Sequence, residues 1–315
     1  MIPETSIDVE AAERRIRRHI LRTPLLEWPG QGLWLKCENE QLTGSFKLRG
    51  ALSKILGCSA EDLRRGVVAA SAGNHGIGVA LACQIAGSHA TVVVPRDVVE
   101  RKRRALESLG AAVVLADGDY GVAELEGRAL ADARGALFVS PYNDPDVVAG
   151  QGTLGLELAQ QLTRTGKPGQ VEVFVPVSGG GLLAGVGLGL RLGGAVVRLI
   201  GVQTEAAPYV HRFFYGGDPA SVVESPTMAD GLAGAVEDGS ITWDLIKRVA
   251  DDIVLVSEGE IAAALVEIAR GTGMVVEPSA AVAVAGARRS KGDCRIAVLS
   301  GGNVAGGLLE RLAAR

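Results

Sequence analysis

Short apolar runs alternate with helix-length segments along most of this chain. The runs at 67–70, 91–94, 113–115, 171–177, 198–202 and 295–299 are dominated by Val, Ile, Leu and Ala. Runs of that length and continuity suit strands covered on both faces. Between them, 73–86, 100–109, 122–133, 154–163 and 260–270 carry the composition and length of helices. The alternation predicts an α/β protein with mostly parallel sheets flanked by helices. No repeat or low-complexity tract interrupts it. Three βα units in 50–144 are expected to form a small domain, with 1–49 joining 145–315 in a larger one, although no Pro/Ser-rich linker marks the boundary.

One segment invites a membrane reading, because 173–190 holds no charge and is just long enough to span a bilayer. Pro176 and seven glycines or serines interrupt it. The pattern resolves into a buried strand to Val177, a tight turn at 178–181 and a packed helix over 182–192. No membrane segment is expected.

Composition narrows the remaining classes. At 315 residues the chain is long enough for about two domains and a cleft between them. Hydrophobic residues at 47%, charged residues at 22% and a formal net charge of -4 exclude a disordered tail and give no reason to expect nucleic acid or an anionic membrane as partner. The basic run Arg101-Lys102-Arg103-Arg104 lacks neighbouring aromatic stacking residues and reads as the solvated face of a helix. Cys37, Cys58, Cys83 and Cys294 form no C-x-x-C pair and lack a His at metal-ligand spacing, so no metal site is expected, and free thiols suit a cytoplasmic protein. The N-terminus has no apolar signal core, and its Arg-rich stretch includes Glu10 and Glu13.

The compositional departure is glycine, 43 residues of it, clustered in loops. In open α/β sheets ligands bind outside the carboxyl ends of strands, which directs attention to three loops. After Ala70 comes Ser71-Ala72-Gly73-Asn74-His75, whose amides at a helix start could hold a carboxylate. An N-capping Ser with a packing Gly explains part of it equally well. After Val177 comes Ser178-Gly179-Gly180-Gly181-Leu182, where bare backbone could cradle a phosphate or simply pack closely. It matches neither G-x-x-x-x-G-K-[ST] nor G-x-G-x-x-G, against ATP and NAD. The third loop, Ser300-Gly301-Gly302-Asn303, offers a hydroxyl or an ordinary capped turn. Lys47 lies between Phe46 and Leu48, an apolar setting that would lower its pKa and favour the free amine. A lone lysine is also the commonest solvated residue.

Taken in order, these segments resemble the threonine/serine dehydratase family. Leu35-Lys36-Cys37-Glu38-Asn39 followed by Thr43-Gly44-Ser45-Phe46-Lys47-Leu48-Arg49-Gly50-Ala51 is similar to its cofactor-lysine motif. Ser71 to His75 resembles its substrate-carboxylate loop and Ala149-Gly150-Gln151-Gly152-Thr153 with Glu157 a further family stretch. Ser178 to Leu182 resembles its phosphate loop, Glu277-Pro278-Ser279 its late acidic segment, and Ser300 to Asn303 its pyridine-nitrogen loop. The likeness covers nearly the whole chain, including the serine racemase-like branch. It implies a two-lobed fold type II enzyme, similar to the tryptophan synthase β subunit, with pyridoxal 5'-phosphate as cofactor. It further implies Lys47 as Schiff-base lysine, Phe46 and Asn74 against the ring, Ser178, Gly179, Gly180, Gly181 and Leu182 on the phosphate, and Ser300 at the pyridine nitrogen. Ser71, Ala72, Gly73, Asn74 and His75 would hold the substrate, and the enzyme would be a homodimer.

The implied activity is β-elimination of a β-hydroxy amino acid such as L-threonine or L-serine to a 2-oxo acid and ammonia. Serine, threonine, 3-hydroxyaspartate, a phenylserine and a hydroxyectoine-derived amino acid all remain open as substrates. Sulfide-using synthases and threonine synthases carry other residues where this chain has Phe46-Lys47-Leu48-Arg49. Racemases of the branch use a second serine where Ala72 stands, so racemisation would lack its second proton carrier. Gln203 and Tyr209 fall where relatives carry metal-binding carboxylates, with Glu205 and His211 nearby. Ile77 stands where dehydratases often carry Gln, which would reshape the substrate pocket, and Ser178 replaces the first glycine of the phosphate loop, which would add a hydroxyl donor to the phosphate; either could mark a substrate other than threonine. No feedback domain is expected after Asn303.

Overall fold

The computed structural model describes residues 7–165 and 170–304. The C-terminal stretch from which no feedback domain is expected lies outside the described residues. Two sheets organise the chain. The first contains β1 (Leu25–Trp28), β2 (Leu33–Cys37), β7 (Val171–Pro176), β8 (Val197–Thr204), β9 (Asp252–Val256) and β10 (Cys294–Leu299), in the order β1-β2-β10-β7-β8-β9. The second contains β3 (Val67–Ala70), β4 (Ala90–Pro95), β5 (Ala112–Ala116) and β6 (Leu137–Phe138), in the order β5-β4-β3-β6. Every pairing is parallel except β1 with β2. The apolar runs are therefore strands, as their continuity predicts, and helices cover both faces.

The segment 173–190 is β7 followed by a turn and α8 (Gly181–Leu192). Among the described residues no helix is long and apolar enough to cross a membrane. The basic run lies on α5 (Glu100–Ser108), where Arg103 and Arg104 pair with Glu100 in adjacent turns. Among the described residues no disulfide joins any of the four cysteines.

Helix α7 (Pro145–Thr165) begins nine residues before the expected start at 154. Gly150, Gly152 and Gly155 read as breakers but serve contact. A Cβ on Gly155 would collide with Val186 O of α8, and one on Gly150 would lie 2.5 Å from Arg49 O of α2 (Lys47–Ile55). Asp144 opens α7, its Oδ1 accepting from Asp146 N at 2.8 Å and Val147 N at 3.2 Å, with Pro145 as first residue. The expected boundary at 49/50 falls inside α2, whose Leu48, Leu52 and Ile55 pack with Val67, Ala69 and Val92 of the four-stranded sheet.

A buried ionic network lies beneath α2. Arg49 grips Glu38 through Nε and Nη2, both at 2.8 Å, and reaches Glu157 Oε2 at 3.1 Å and Thr153 Oγ1 at 3.2 Å. Lys36 donates to Glu157 and, at 2.7 Å, to Thr23 O. Two cations face two anions, so the cluster is neutral as a whole. Burial would raise the Glu38 carboxyl, but the Arg49 guanidinium outweighs it and holds Glu38 below the usual range.

Candidate active site

Lys47 opens α2 at the carboxyl edge of the six-stranded sheet, and three neighbours hold it there. Phe46 N donates to Ser300 O at 3.1 Å, Gly302 N donates to Gly44 O at 2.9 Å, and Ser45 forms an isolated antiparallel bridge with Gly301. The lysine segment is thus stitched to the loop following β10. Lys47 Nζ lies 5.1 Å from the Phe46 ring centroid and donates to Pro141 O at 3.0 Å. Burial pulls its pKa down to about 8, against the attraction of Glu277. It is a half-buried amine at the junction of loops, which removes the surface-lysine alternative.

The loop after β3 leads into α4 (Asn74–Ala86). Ser71 Oγ accepts from Gly73 N at 3.2 Å, so that hydroxyl is used within its own turn. Gly73 is the N-cap without a side-chain cap, and a Cβ on it would meet only Ser71 Oγ, at 3.9 Å. The side of Gly73 where a Cβ would stand is open. Ala72 is half-buried and packs on the core of the four-stranded sheet. Asn74 reaches across the cleft, donating from Nδ2 to Glu277 Oε1 at 2.6 Å and accepting at Oδ1 from Asn303 Nδ2 at 2.7 Å. His75 points behind the loop, its Nε2 2.8 Å from Val139 O. Burial and the Lys47 charge depress its pKa to about 3, so its ring stays neutral, and only its backbone remains for a ligand.

The 178–182 loop joins β7 to α8. Gly180 is the N-cap at φ +85°, a left-handed position that favours glycine, with no side-chain cap. A Cβ on Gly179 would collide with the Tyr142 ring, one on Gly180 with Ile246, and one on Gly181 would lie 2.9 Å from Tyr142 Cβ. Close packing therefore accounts for the missing side chains. The first backbone bond closed at this helix end is Ala184 N to Gly180 O, leaving the preceding amides without intrahelical acceptors. Leu182 is buried in the main core, so it can offer only its amide. Thr242 Oγ1 donates to Gly179 O at 2.7 Å and fixes the loop. A buried, uncapped helix start suits a phosphate on electrostatic grounds.

The residue set thus fits pyridoxal phosphate: a half-buried amine of lowered pKa, an uncapped helix start and the buried hydroxyl-bearing residue Ser300 at the end of β10. Sequence reasoning quoted Glu277 without assigning it a role and left Asn303, Tyr142 and the Pro141 carbonyl without individual roles. Their only sequence signal was proximity to Gly- or Pro-containing turns. At the positions compared with relatives' metal ligands, Gln203 Oε1 accepts from His211 N at 2.9 Å and Tyr209 Oη donates to Glu224 at 3.1 Å. Both side chains are engaged in local structure.

Known proteins bear on the identity of this site. The chain is 40% identical over 314 residues to an L-threonine ammonia-lyase of Thermotoga maritima, covering 97% of this chain and 77% of that protein. It is 34% identical over 315 residues to the catabolic L-threonine dehydratase of Escherichia coli, covering 96% and 94%. Maize serine racemase superposes with a TM-score of 0.88 at 28% identity, covering 99% of this chain and 98% of that one. The family model described as pyridoxal-phosphate dependent enzyme matches residues 16–301, nearly the full length, and the chain belongs to that family.

Proposed function

We propose that this protein is a pyridoxal-phosphate-dependent ammonia-lyase that eliminates water from L-threonine or L-serine, giving a 2-oxo acid and ammonia. The observation that carries the reading is Lys47, a half-buried amine with its pKa lowered to about 8, flanked by two helix starts that carry no side-chain cap. The threonine ammonia-lyase of T. maritima and the threonine dehydratase of E. coli support the substrate class.

When bound, the cofactor would withdraw electrons from the substrate Cα. The side chains supply the rest. The amides at 71–75 orient the substrate carboxylate, and those at 179–182 hold the phosphate by charge and dipole. Lys47 would hold the cofactor in the resting enzyme, and its freed Nζ takes the Cα proton. The β-hydroxyl then leaves as water, completed by the proton that Lys47 Nζ took from Cα. The released enamine takes up water and yields the 2-oxo acid and ammonia, so atoms balance across the two steps. Ser300 would offer a neutral hydroxyl, rather than a carboxylate, to the cofactor's ring nitrogen, which would favour prompt elimination.

Ala72 separates elimination from racemisation. A methyl group there can neither give nor take a proton at the opposite face of Cα. We further assign residues 1–46 and 145–315 to a large lobe and, because α2 is one continuous helix packed on the four-stranded sheet, 47–144 to a small lobe, and the enzyme to a cytoplasmic homodimer. The test is a panel assay. Holoprotein should release ammonia and 2-oxo acid in equal amounts from L-threonine or L-serine, and Lys47→Ala should abolish both. Accumulation of the opposite enantiomer ahead of 2-oxo acid would replace the lyase reading with a racemase.

A further inference from the structure

Glu277 lies among the site loops, yet the chemistry above makes no use of it. Its backbone N donates to Gly301 O at 3.0 Å, and its Oε1 accepts from Asn74 Nδ2 at 2.6 Å. A Cβ on Gly301 would collide with that same Oε1, so the glycine beside Ser300 admits the carboxyl. The far end of the Asn74 amide is also held. Asn303 Nδ2 donates both to Asn74 Oδ1 at 2.7 Å and to Thr43 O at 2.8 Å.

This chain of bonds settles which way the amide points. A primary amide has two N–H donors and one carbonyl acceptor. Turned over, Asn74 would set its carbonyl against Glu277 and its NH2 against the NH2 of Asn303, losing both bonds. In the observed orientation one N–H serves Glu277 and the carbonyl serves Asn303. Only one donor remains for a ligand.

We infer that Glu277 is a positioning residue, fixing Asn74 as a hydrogen-bond donor toward the bound cofactor ring and passing its own charge state to the cofactor through that amide. The inference rests on the cofactor placement proposed above. The groups that act on Glu277 electrostatically are Lys47 at the start of α2, Lys102 on α5 and Asp230, with the Asn74 amide in direct contact. Burial pushes the carboxyl up to about 7, Asp230 adds to the rise, and Asn74, Lys102 and Lys47 oppose it. Glu277 therefore passes from neutral to anionic as pH rises through neutrality, and the cofactor's surroundings change with it.

The test reads the visible absorption of holoprotein, without substrate, across neutral pH in wild type, Glu277→Gln, Asn74→Ala and the double variant. Wild type should show a spectral transition near neutrality that both single variants lose. Glu277→Gln should weaken cofactor affinity about tenfold, the scale of one charged hydrogen bond, and should change nothing further once Asn74 is Ala. A transition that survives in Glu277→Gln, or an equal effect of that substitution in the Asn74→Ala background, overturns the inference. If Glu277→Gln does not fold, Asn74→Ala decides alone, since with Glu277 intact it must still lose the transition. A protein that binds cofactor and shows this behaviour but releases no ammonia would sink the lyase reading and leave Glu277's role standing. A protein that binds no cofactor overturns both.

Discussion

Replacing Arg49 by Met tests the ionic foundation of the lysine helix. The substitution removes four hydrogen bonds, two to Glu38 at 2.8 Å, one to Glu157 at 3.1 Å and one to Thr153 at 3.2 Å. It leaves Glu38 and Glu157 buried with Lys36 as the sole cation of the cluster, an uncompensated negative charge. Breaking a buried ion pair in this way costs about 3–5 kcal/mol. At ~2–4 °C per kcal/mol for a chain of this size class, the melting temperature should fall by on the order of 10 °C. The pH dependence should invert as well. In wild type the Glu38 carboxyl is held low and stabilises at neutral pH. Without Arg49, burial prevails and raises it, so the variant's deficit should shrink as pH falls and the carboxyl protonates. Circular-dichroism melts of wild type, Arg49→Met and Arg49→Met/Glu38→Gln at two pH values measure all of this. The double variant, neutral again, should recover about 1–2 kcal/mol, the cost of leaving a polar group buried without its partner. A single-variant loss under about 3 °C, or a double variant no better than the single, would refute the reasoning.

Further predictions follow from individual contacts. Gly179→Ala sets a methyl group against the Tyr142 ring and should cost about 1–3 kcal/mol together with cofactor affinity; Tyr142→Leu in the same chain should restore part of both in melts and cofactor titration. His75, with its pKa depressed to about 3, contributes stability that is present above its unfolded pKa and lost as pH falls, at about 1.4 kcal/mol per pH unit below roughly 6.5. In denaturant unfolding the pH slopes of wild type and His75→Asn should differ by that amount; equal slopes would contradict the assignment. Ala72→Ser restores a hydroxyl at the second face of Cα and should raise the ratio of enantiomer exchange to ammonia release at least several-fold, read by chiral chromatography.

The strands and the three site loops were legible because each is local. An apolar run ending in Ser or Gly before a helix states its own geometry, and Ser71, Ser178 and Ser300 all stand just past strand ends. Features that depend on distant partners were not. Asn74 and Glu277 are separated by 203 residues and Asn74 and Asn303 by 229, so nothing near any of them announces the contact. The early start of α7 was hidden because glycines that permit helix contact look identical in sequence to glycines that end helices. α12 (Pro278–Arg289) was missed for a related reason: it is buried along almost its whole length and shows no amphipathic stripe. His75 sat in a motif with the right neighbours, yet its ring turned toward Val139 and left only its backbone at the site.

The central claim is that Lys47 carries the cofactor, and borohydride reduction of holoprotein followed by peptide mapping tests it most directly. The account predicts a reduced pyridoxyl group on the peptide that contains Lys47, and none in Lys47→Ala. A label on Lys36, Lys54 or Lys102 instead, or no label on a protein that binds the cofactor, would contradict it.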